Sequence, residues 1–195
     1  MLKNIIQRNW IAKSLAKLVI ITSLFYIAFQ PTLSAESSYR QYTPIYAIEK
    51  NSDAAKKIIE INENISEKDA GRFVHYAKKW GETFGVDPSL ILGIMFVEST
   101  FDKYAISNMG ARGLMQVLPK WHKDKIQVAK MILGNKKELS DPELNIYVGS
   151  WILKECMIKY ENRANSLKCY NGAVGKKTDY HKKVLNGKKE FDSFI

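Results

Sequence analysis

The sequence has few of the residues that mark fibrous, disordered or repetitive proteins. Its 195 residues include 11 Gly and 5 Pro, and 11% of them are aromatic. This composition excludes collagen-like fibres and wholesale disorder, and the lack of a fixed repeat excludes a solenoid. Because 46% of the residues are hydrophobic and 26% are charged, we expect one globular domain with its own core and little room for a second.

Histidine is also scarce, and no metal-binding motif is present. The three histidines, His75, His122 and His181, are far apart, and the sequence contains neither CxxC nor HExxH. Metal sites usually draw their ligands from such closely spaced motifs. We therefore expect no metal site, and nothing in the sequence indicates a cofactor.

The uncharged run near the start of the chain is too short to span a membrane as a helix. It extends from Leu18 to Phe29, 12 residues, whereas a spanning helix needs roughly 18 or more. Basic residues precede the run and small residues ending at Ala35 follow it, which is the pattern of a secretory signal peptide. We predict a signal peptide over residues 1–35 and export to the periplasm or cell envelope. An uncleaved membrane anchor and full secretion are the alternatives.

Export gives the two cysteines a reason to pair. Cys156 and Cys169 lie 13 positions apart in the sequence. In an oxidising compartment, a bridge that closes so short a loop contributes about 2–3 kcal/mol to stability. We favour a disulfide between them, with two buried free thiols as the alternative.

The chain carries more basic than acidic residues. Thirty Lys and Arg against 20 Asp and Glu give a formal charge of +10, which favours an anionic partner such as nucleic acid, anionic lipid or an acidic cell-wall polymer. Part of this excess lies in residues 1–35, which hold bases and no acids. We expect no nucleic-acid partner, because the basic residues are spread along the chain and the segment around Gly175 lacks the other positions of a phosphate-binding loop.

Helix start signals and apolar spacing predict a mainly α-helical domain. Ser66-Glu67-Lys68-Asp69 is typical of a helix cap, and Gly85 ends that helix. Asp87-Pro88 begins the next helix, whose segment Leu90 to Val97 has no polar side chain. A helix that is apolar on every side belongs in the core. Asp141-Pro142 repeats the start signal before another helix.

Glu98 continues the apolar stripe of this buried helix. Ile91, Ile94 and Met95 precede it at offsets of seven, four and three, which places all four residues on one helix face. Burial there should raise the pKa of the carboxyl, and a raised pKa suits a general acid near neutral pH. The alternative is a glutamate that turns outward at the helix end or pairs with Arg112 or Lys103.

Several short motifs follow Glu98 in a fixed order. They are Glu98-Ser99, Ser107, residues 110–116 (Gly-Ala-Arg-Gly-Leu-Met-Gln), residues 141–146 and Tyr170-Asn171-Gly172. Together they resemble the soluble lytic transglycosylase (SLT) domain, a lysozyme-like family related to goose-type lysozyme. The resemblance covers about residues 70–185 and implies a lysozyme-like single domain with a buried catalytic helix and a substrate groove.

The resemblance implies that peptidoglycan is the partner and that its β-1,4 bond between N-acetylmuramic acid and N-acetylglucosamine is cleaved. Glu98 would protonate the leaving oxygen and then deprotonate the muramoyl 6-hydroxyl, which closes a 1,6-anhydro ring. Because the substrate supplies the nucleophile, no second carboxylate is needed. The nearest other acid, Asp102, is expected to be a solvated turn residue.

The resemblance also assigns supporting residues. Gln116 would meet the sugar through its amide, Ser107 would lie near the acetamido group, and the Tyr170 hydroxyl would lie near Glu98. Met115 would line the groove, and Asn171 would contribute beside Tyr170. The alternatives are a Tyr170 that is a core aromatic and an Asn171 that only ends a helix.

Three segments carry further expectations. Gly110 and Gly113 would let the backbone approach the sugar closely. Cys169 stands where the family usually has alanine, directly before Tyr170. Residues 122–125 (His-Lys-Asp-Lys) are more charged than the family pattern and would touch peptide stems or acidic polymer, or form a solvated face.

We divide the chain into a signal peptide over 1–35, an N-terminal arm with a short helix over 36–65, and an SLT domain over 66–195, and we expect a monomer.

Two other functions stay open. One is a muramidase, a hydrolase of lysozyme type. The other is a glycan-binding accessory protein of an envelope-spanning secretion, conjugation or phage apparatus.

Overall fold

The computed structural model describes Glu49, residues 51–134 and residues 138–195. The predicted signal peptide, and residues 36–48 and 50 of the predicted arm, lie outside the described residues. Between residues 53 and 189 the chain forms seven α-helices. They are α1 (Asp53–Ile61), α2 (Glu67–Phe84), α3 (Pro88–Ser99), α4 (Lys123–Leu133), α5 (Pro142–Lys159), α6 (Arg163–Tyr170) and α7 (Tyr180–Lys189).

This architecture confirms the predicted mainly α-helical fold. In the described ranges, extended pairing is confined to isolated bridges in the segment between α3 and α4. None of the described helices has the length and apolar character that crossing a membrane requires.

Side-chain caps begin the helices where the sequence predicted them. The side chain of Ser66 accepts a hydrogen bond from the Asp69 amide at 3.2 Å, and Asp87 and Asp141 cap α3 and α5 in the same way. Gly85, in the left-handed region with φ of 62°, ends α2. Each cap satisfies an amide that the first helical turn leaves unpaired.

Helix α3 lies in the middle of the core, as its uniformly apolar sequence predicted. Its residues from Leu90 to Met95 are buried. Gly93 allows α7 to pack directly on α3, because a Cβ at this position would lie 2.6 Å from the Lys188 amide nitrogen and 2.9 Å from the Val184 carbonyl oxygen. The catalytic candidate Glu98 is therefore carried on a helix that is packed in the core.

Helix α1 belongs to the same core. Ala54, Ala55 and Ile58 are fully buried, and α1 packs against α2. The short helix that we placed with the N-terminal arm thus shares its apolar face with the predicted domain. Composition alone gave no sign of this packing.

Candidate active site

Glu98 lies in the last turn of α3, half-buried, with its Oε1 accepting a hydrogen bond of 2.6 Å from the Tyr180 hydroxyl. Burial raises the pKa of Glu98, while the hydrogen bond from Tyr180 and the nearby Asn171 side chain act in the opposite direction. The net direction is the one predicted from the helix face. Within the described part of the chain, Glu98 forms no ion pair with Arg112, and Lys103 instead binds Asp69 at 2.7 Å.

Tyr180 is a site residue that sequence reasoning missed. It is the first residue of α7, it is buried, and it lies 82 positions from Glu98. Burial and the neighbouring Glu98 charge raise the pKa of Tyr180 far above its ordinary value. The hydroxyl therefore stays protonated and keeps a proton that it can donate to Glu98.

Tyr170 is the last residue of α6, and Asn171 directly follows it. Their side chains contact different groups. The Tyr170 hydroxyl donates to the Met115 carbonyl at 2.7 Å, so it is Tyr180 that bonds Glu98 directly. Tyr170 is nevertheless close enough for the Glu98 charge to add to the effect of burial in raising its pKa. Asn171 lies near enough to Glu98 to lower the pKa of its carboxyl, and it is exposed to solvent.

Met115 differs from its predicted role, since its side chain does not line the groove. The Met115 side chain is fully buried. It fills a space on α5 that exists because residue 149 is glycine, and a Cβ at Gly149 would overlap the Met115 sulfur atom. The backbone of Met115 is what serves the site. Its carbonyl accepts from Tyr170 and its amide donates to Asn145 at 2.8 Å.

Asn145 holds the loop between α3 and α4 in place. It is fully buried on α5, and its amide donates at 2.8 Å to the carbonyls of Arg112 and Leu139. Gly113 lies against it, and a Cβ there would overlap both the Asn145 amide and the Leu139 carbonyl. The predicted approach of Gly113 to a sugar is thus replaced by close packing on Asn145. The sequence signals for Asn145 were its place in the motif of residues 141–146 and its polar side chain in an apolar helix.

Gln116 and Ser107 lie in the groove wall and also shape the loop. The Gln116 amide nitrogen donates to the carbonyls of Ala105 and Gly113 at 3.2 and 3.0 Å, which leaves its oxygen as the group that can accept from a sugar hydroxyl. Ser107 Oγ accepts from the Ala111 amide at 3.0 Å. A Cβ on Gly110 would meet no atom within 4 Å, so the surface there is open.

Asp102 takes the turn position expected of it. Its carboxylate accepts from the Tyr104 amide at 2.8 Å. It lines a separate cavity beside Asn62 and Lys103, apart from Glu98.

One groove of about 570 Å³ brings most of the predicted residues together. Glu98, Ser107, Gln116, Tyr170 and Asn171 line it. Its wall also contains residues that the sequence did not mark as one site, namely Trp121, His122, Ile152, Glu155 and Lys159. Glu155 is a second carboxylate in the same groove as Glu98.

A disulfide joins α5 to α6 in the groove wall. Cys156 and Cys169 are bridged, with their Cα atoms 5.7 Å apart. The bridge ends directly before Tyr170, so the residue that binds the Met115 carbonyl follows a covalently fixed position. Among the described residues, no group of three or more His, Cys, Asp or Glu side chains could hold a metal ion.

Comparison with known proteins identifies relatives with matching segments. The membrane-bound lytic murein transglycosylase C of Edwardsiella ictaluri is 34% identical over 127 residues, 60% of this chain and 35% of that protein. The protein of the same name from Actinobacillus succinogenes is 36% identical over 118 residues, 54% of this chain and 32% of that protein. The chain thus spans about a third of the length of these curated relatives.

A solved structure and a family model also match. The 70 kDa soluble lytic transglycosylase of Escherichia coli superposes with a TM-score of 0.47 and 22% identity, over 74% of this chain and 24% of that one. The model of the transglycosylase SLT domain matches residues 75–193. This match covers more than half of the sequence and includes Glu98, the Gly-Leu-Met-Gln segment and the Tyr-Asn-Gly segment, so the chain belongs to the SLT domain family.

Proposed function

We propose that the protein is a lytic transglycosylase that cleaves peptidoglycan strands between N-acetylmuramic acid and N-acetylglucosamine and leaves 1,6-anhydromuramic ends. The observation that carries this proposal is a carboxyl of raised pKa, Glu98, held by a permanent hydroxyl donor in the wall of an open groove. The matched relatives, which bear the name lytic murein transglycosylase, support the same chemistry.

In the first step, Glu98 acts as a general acid. Because Tyr180 donates its only hydroxyl proton to Oε1, the proton of neutral Glu98 resides on Oε2. That proton passes to the glycosidic oxygen as the bond from this oxygen to the anomeric carbon breaks. The hydrogen bond from Tyr180 stabilises the carboxylate that results, and Asn171 also favours this charged form.

In the second step, the same carboxylate acts as a general base. It takes the proton of the muramoyl 6-hydroxyl while that oxygen bonds to the anomeric carbon, and the 1,6-anhydro ring closes. Glu98 regains its proton and no water is consumed. Gln116 and Ser107 hold the reacting sugar in the groove through hydrogen bonds.

The muramidase alternative gains a specific observation. A hydrolase of lysozyme type uses two carboxylates, and Glu155 lies in the groove, whereas Asp102 lines another cavity. Near Glu98 in the sequence, Asp102 is the only acid that could serve a hydrolase as second carboxylate, but in the structure Glu155 is the one that shares the groove. However, Glu155 forms an ion pair of 3.1 Å with Lys125, so we favour the transglycosylase, whose mechanism leaves Glu155 outside the chemistry.

We also propose that residues 1–35 direct export, that the protein acts in the periplasm or cell envelope as a monomer, and that peptidoglycan strands are its partner. A role as a glycan-binding accessory of an envelope-spanning apparatus is the competing proposal. Experiment can distinguish this accessory role from the enzyme, because an enzyme needs the proton of Glu98 and a scaffold does not.

The decisive experiment is mass spectrometry of muropeptides released from purified peptidoglycan by the chain produced with its own leader. We expect products about 18 Da lighter than hydrolysis products. This difference is the mass of one water molecule, which hydrolysis adds to the product and ring closure does not. Glu98→Gln keeps the side-chain shape and should release none. Products with reducing ends would establish the muramidase. An accessory phenotype that survives Glu98→Gln would favour the scaffold.

A further inference from the structure

The excess of basic over acidic residues is concentrated at the C-terminal end of the chain. Residues 161–195 hold eight Lys and Arg against four Asp and Glu, a net charge of +4. Residues 36–160, a much longer segment, hold 18 Lys and Arg against 16 Asp and Glu, a net charge of only +2. Basic residues occur along the whole chain, but α6, α7 and the loop between them carry most of the excess that lies outside the predicted signal peptide.

A cleft of about 460 Å³ lies between the first residue of α6 and one face of α7. Arg163 lines it from α6. Lys182, Asn186 and Lys189 line it from α7, and their spacing of four and three residues places them on a single helix face. We call this cavity the basic cleft. It shares no lining residue with the groove that contains Glu98, so the proposed reaction does not use it.

Carboxylates neutralise only part of the basic cleft. Lys188, which also lines it, forms ion pairs with Asp192, the one acid in the lining, and with Asp87 at 3.0 Å. Lys182 forms an ion pair of 3.1 Å with Asp179, in which both side chains are more than two thirds exposed. Because ion pairs at such exposed positions contribute little, Lys182 can exchange Asp179 for another anion.

Arg163 and Lys189 are the two bases of the cleft that no carboxylate neutralises. Both are exposed, and among the described residues neither forms an ion pair. They line the cleft from different helices, so an anion between them would accept from a guanidinium on α6 and from an ammonium on α7. Asn186, on the same face of α7 as Lys189, adds an amide that can donate as well.

We propose that the basic cleft binds a phosphate group, carried by a phospholipid headgroup or by a soluble phosphate compound. A planar carboxylate can have both its oxygens bound by the fork of Arg163 alone, which would leave the donors of α7 unused. A phosphate has further oxygens outside that plane, and these can accept from Lys182 and Lys189 across the cleft. The proposal does not rest on the proposed reaction, and a protein bound in this way keeps its groove free.

The test offers two phosphate sources to the chain produced with its own leader. Amide shifts in NMR spectra follow titration with inorganic phosphate, and malonate serves as a carboxylate of similar charge. We expect phosphate to shift the amides of Arg163, Asn186 and Lys189 at lower concentrations than malonate does.

Co-sedimentation with vesicles tests the second source. The vesicles consist of phosphatidylcholine with or without phosphatidylglycerol, whose headgroup is anionic. Retention on the phosphatidylglycerol vesicles alone would identify the lipid headgroup as a source. Binding of inorganic phosphate without retention on these vesicles would identify a soluble phosphate compound.

Arg163→Met combined with Lys189→Met should weaken the observed phosphate binding about tenfold, because each exposed contact to an anion contributes up to about fivefold. The matched control is Lys176→Met combined with Lys177→Met. These two lysines are exposed in the loop between α6 and α7 and do not line the cleft. The control therefore removes the same charge from the same basic part of the molecule, and it should leave the affinity nearly unchanged.

Both double variants should keep the Tm of the parent within a few degrees, because all four side chains are exposed. Four results would each overturn the proposal. They are no binding of either phosphate source, phosphate shifts confined to amides outside the cleft, malonate bound as tightly as phosphate, and equal effects of the two double variants.

Discussion

The hydrogen bond from Tyr180 to Glu98 controls the proton that the proposed reaction needs. It stabilises the carboxylate form and so opposes the rise in the pKa of Glu98 that burial causes. Without this bond the carboxyl would release its proton less readily to the leaving group, and the carboxylate formed in the first step would lose a charge-assisted contact.

Tyr180→Phe is therefore expected to raise the pKa of Glu98. The alkaline limb of kcat, which marks the loss of the proton from Glu98, should move to higher pH. Near the optimum, kcat should fall about tenfold, since hydrogen bonds to charged groups contribute about 1.5–3 kcal/mol. A pH–rate profile on soluble peptidoglycan strands measures both effects.

Tyr170→Phe provides the comparison. Its hydroxyl bonds the Met115 carbonyl rather than Glu98, so this variant should lower kcat without moving the alkaline limb. A limb that moves with Tyr170→Phe and stays with Tyr180→Phe would contradict the assignment of the two tyrosines.

Glu98 is also expected to reduce stability at neutral pH. Its pKa in the folded state is raised above the ordinary value of 4.5, so the folded state holds the proton more tightly than the unfolded state. The contribution of Glu98 to stability is then greatest below its ordinary pKa of 4.5 and declines as the pH rises through the folded-state pKa. Glu98→Gln, which never ionises, should unfold at a higher temperature than the parent well above that pKa, but not below it. A difference in Tm that is independent of pH would refute this account.

The sequence predicted Glu98 and missed Tyr180 for a physical reason. Glu98 belongs to a helix whose periodicity is local, so its burial can be deduced from the residues three, four and seven positions before it. Tyr180 reaches Glu98 only because α7 packs on α3, and the two residues are 82 positions apart. Pairings of this kind depend on tertiary packing, for which a single sequence carries no periodic signal.

At the scale of elements, the local signals were again the reliable ones. Ser66, Asp87 and Asp141 cap the helices that they were predicted to begin, because a cap needs only the next three residues. The roles of Met115 and Gly113 needed correction, since both depend on what α5 presents across the loop. Gly149 accepts the Met115 side chain, and Asn145 occupies the space beside Gly113.

The disulfide between α5 and α6 offers a test at this scale. Cys156→Ser combined with Cys169→Ser is expected to lower the free energy of unfolding by about 2–3 kcal/mol, because a loop of this length is no longer closed in the unfolded chain. It should also lower kcat, since Tyr170 and Asn171 directly follow the bridge. Urea unfolding and strand cleavage measure the two effects.

The parent chain in the presence of reductant is the natural control for that double variant. It should match the variant in both stability and activity, because each lacks only the covalent link. A double variant as stable as the oxidised parent would mean that the packing of α6 on α5 already fixes this part of the groove.

At the scale of the whole molecule, the groove depends on a core that extends beyond the family match. The match begins at residue 75, and our sequence-based boundary stood at residue 66. Yet Ala54, Ala55 and Ile58 of α1 are fully buried, and α1 packs on α2. Removing α1 would expose apolar surface of α2, the helix that also packs against α3.

A chain that begins at residue 66 is therefore expected to be much less stable than one that begins at residue 49. The loss should exceed that of Ile58→Ala alone, for which we expect about 2–5 kcal/mol, the usual cost of emptying a buried isoleucine site. Lys56→Ala on the exposed face of the same helix should change stability by less than about 0.5 kcal/mol. Urea unfolding measures the free energy of unfolding of the four chains: those that begin at residues 49 and 66, and the Ile58→Ala and Lys56→Ala variants of the longer one. If the chain from residue 66 were as stable as the longer one, α1 would be an appendage, and the domain would begin where the sequence suggested.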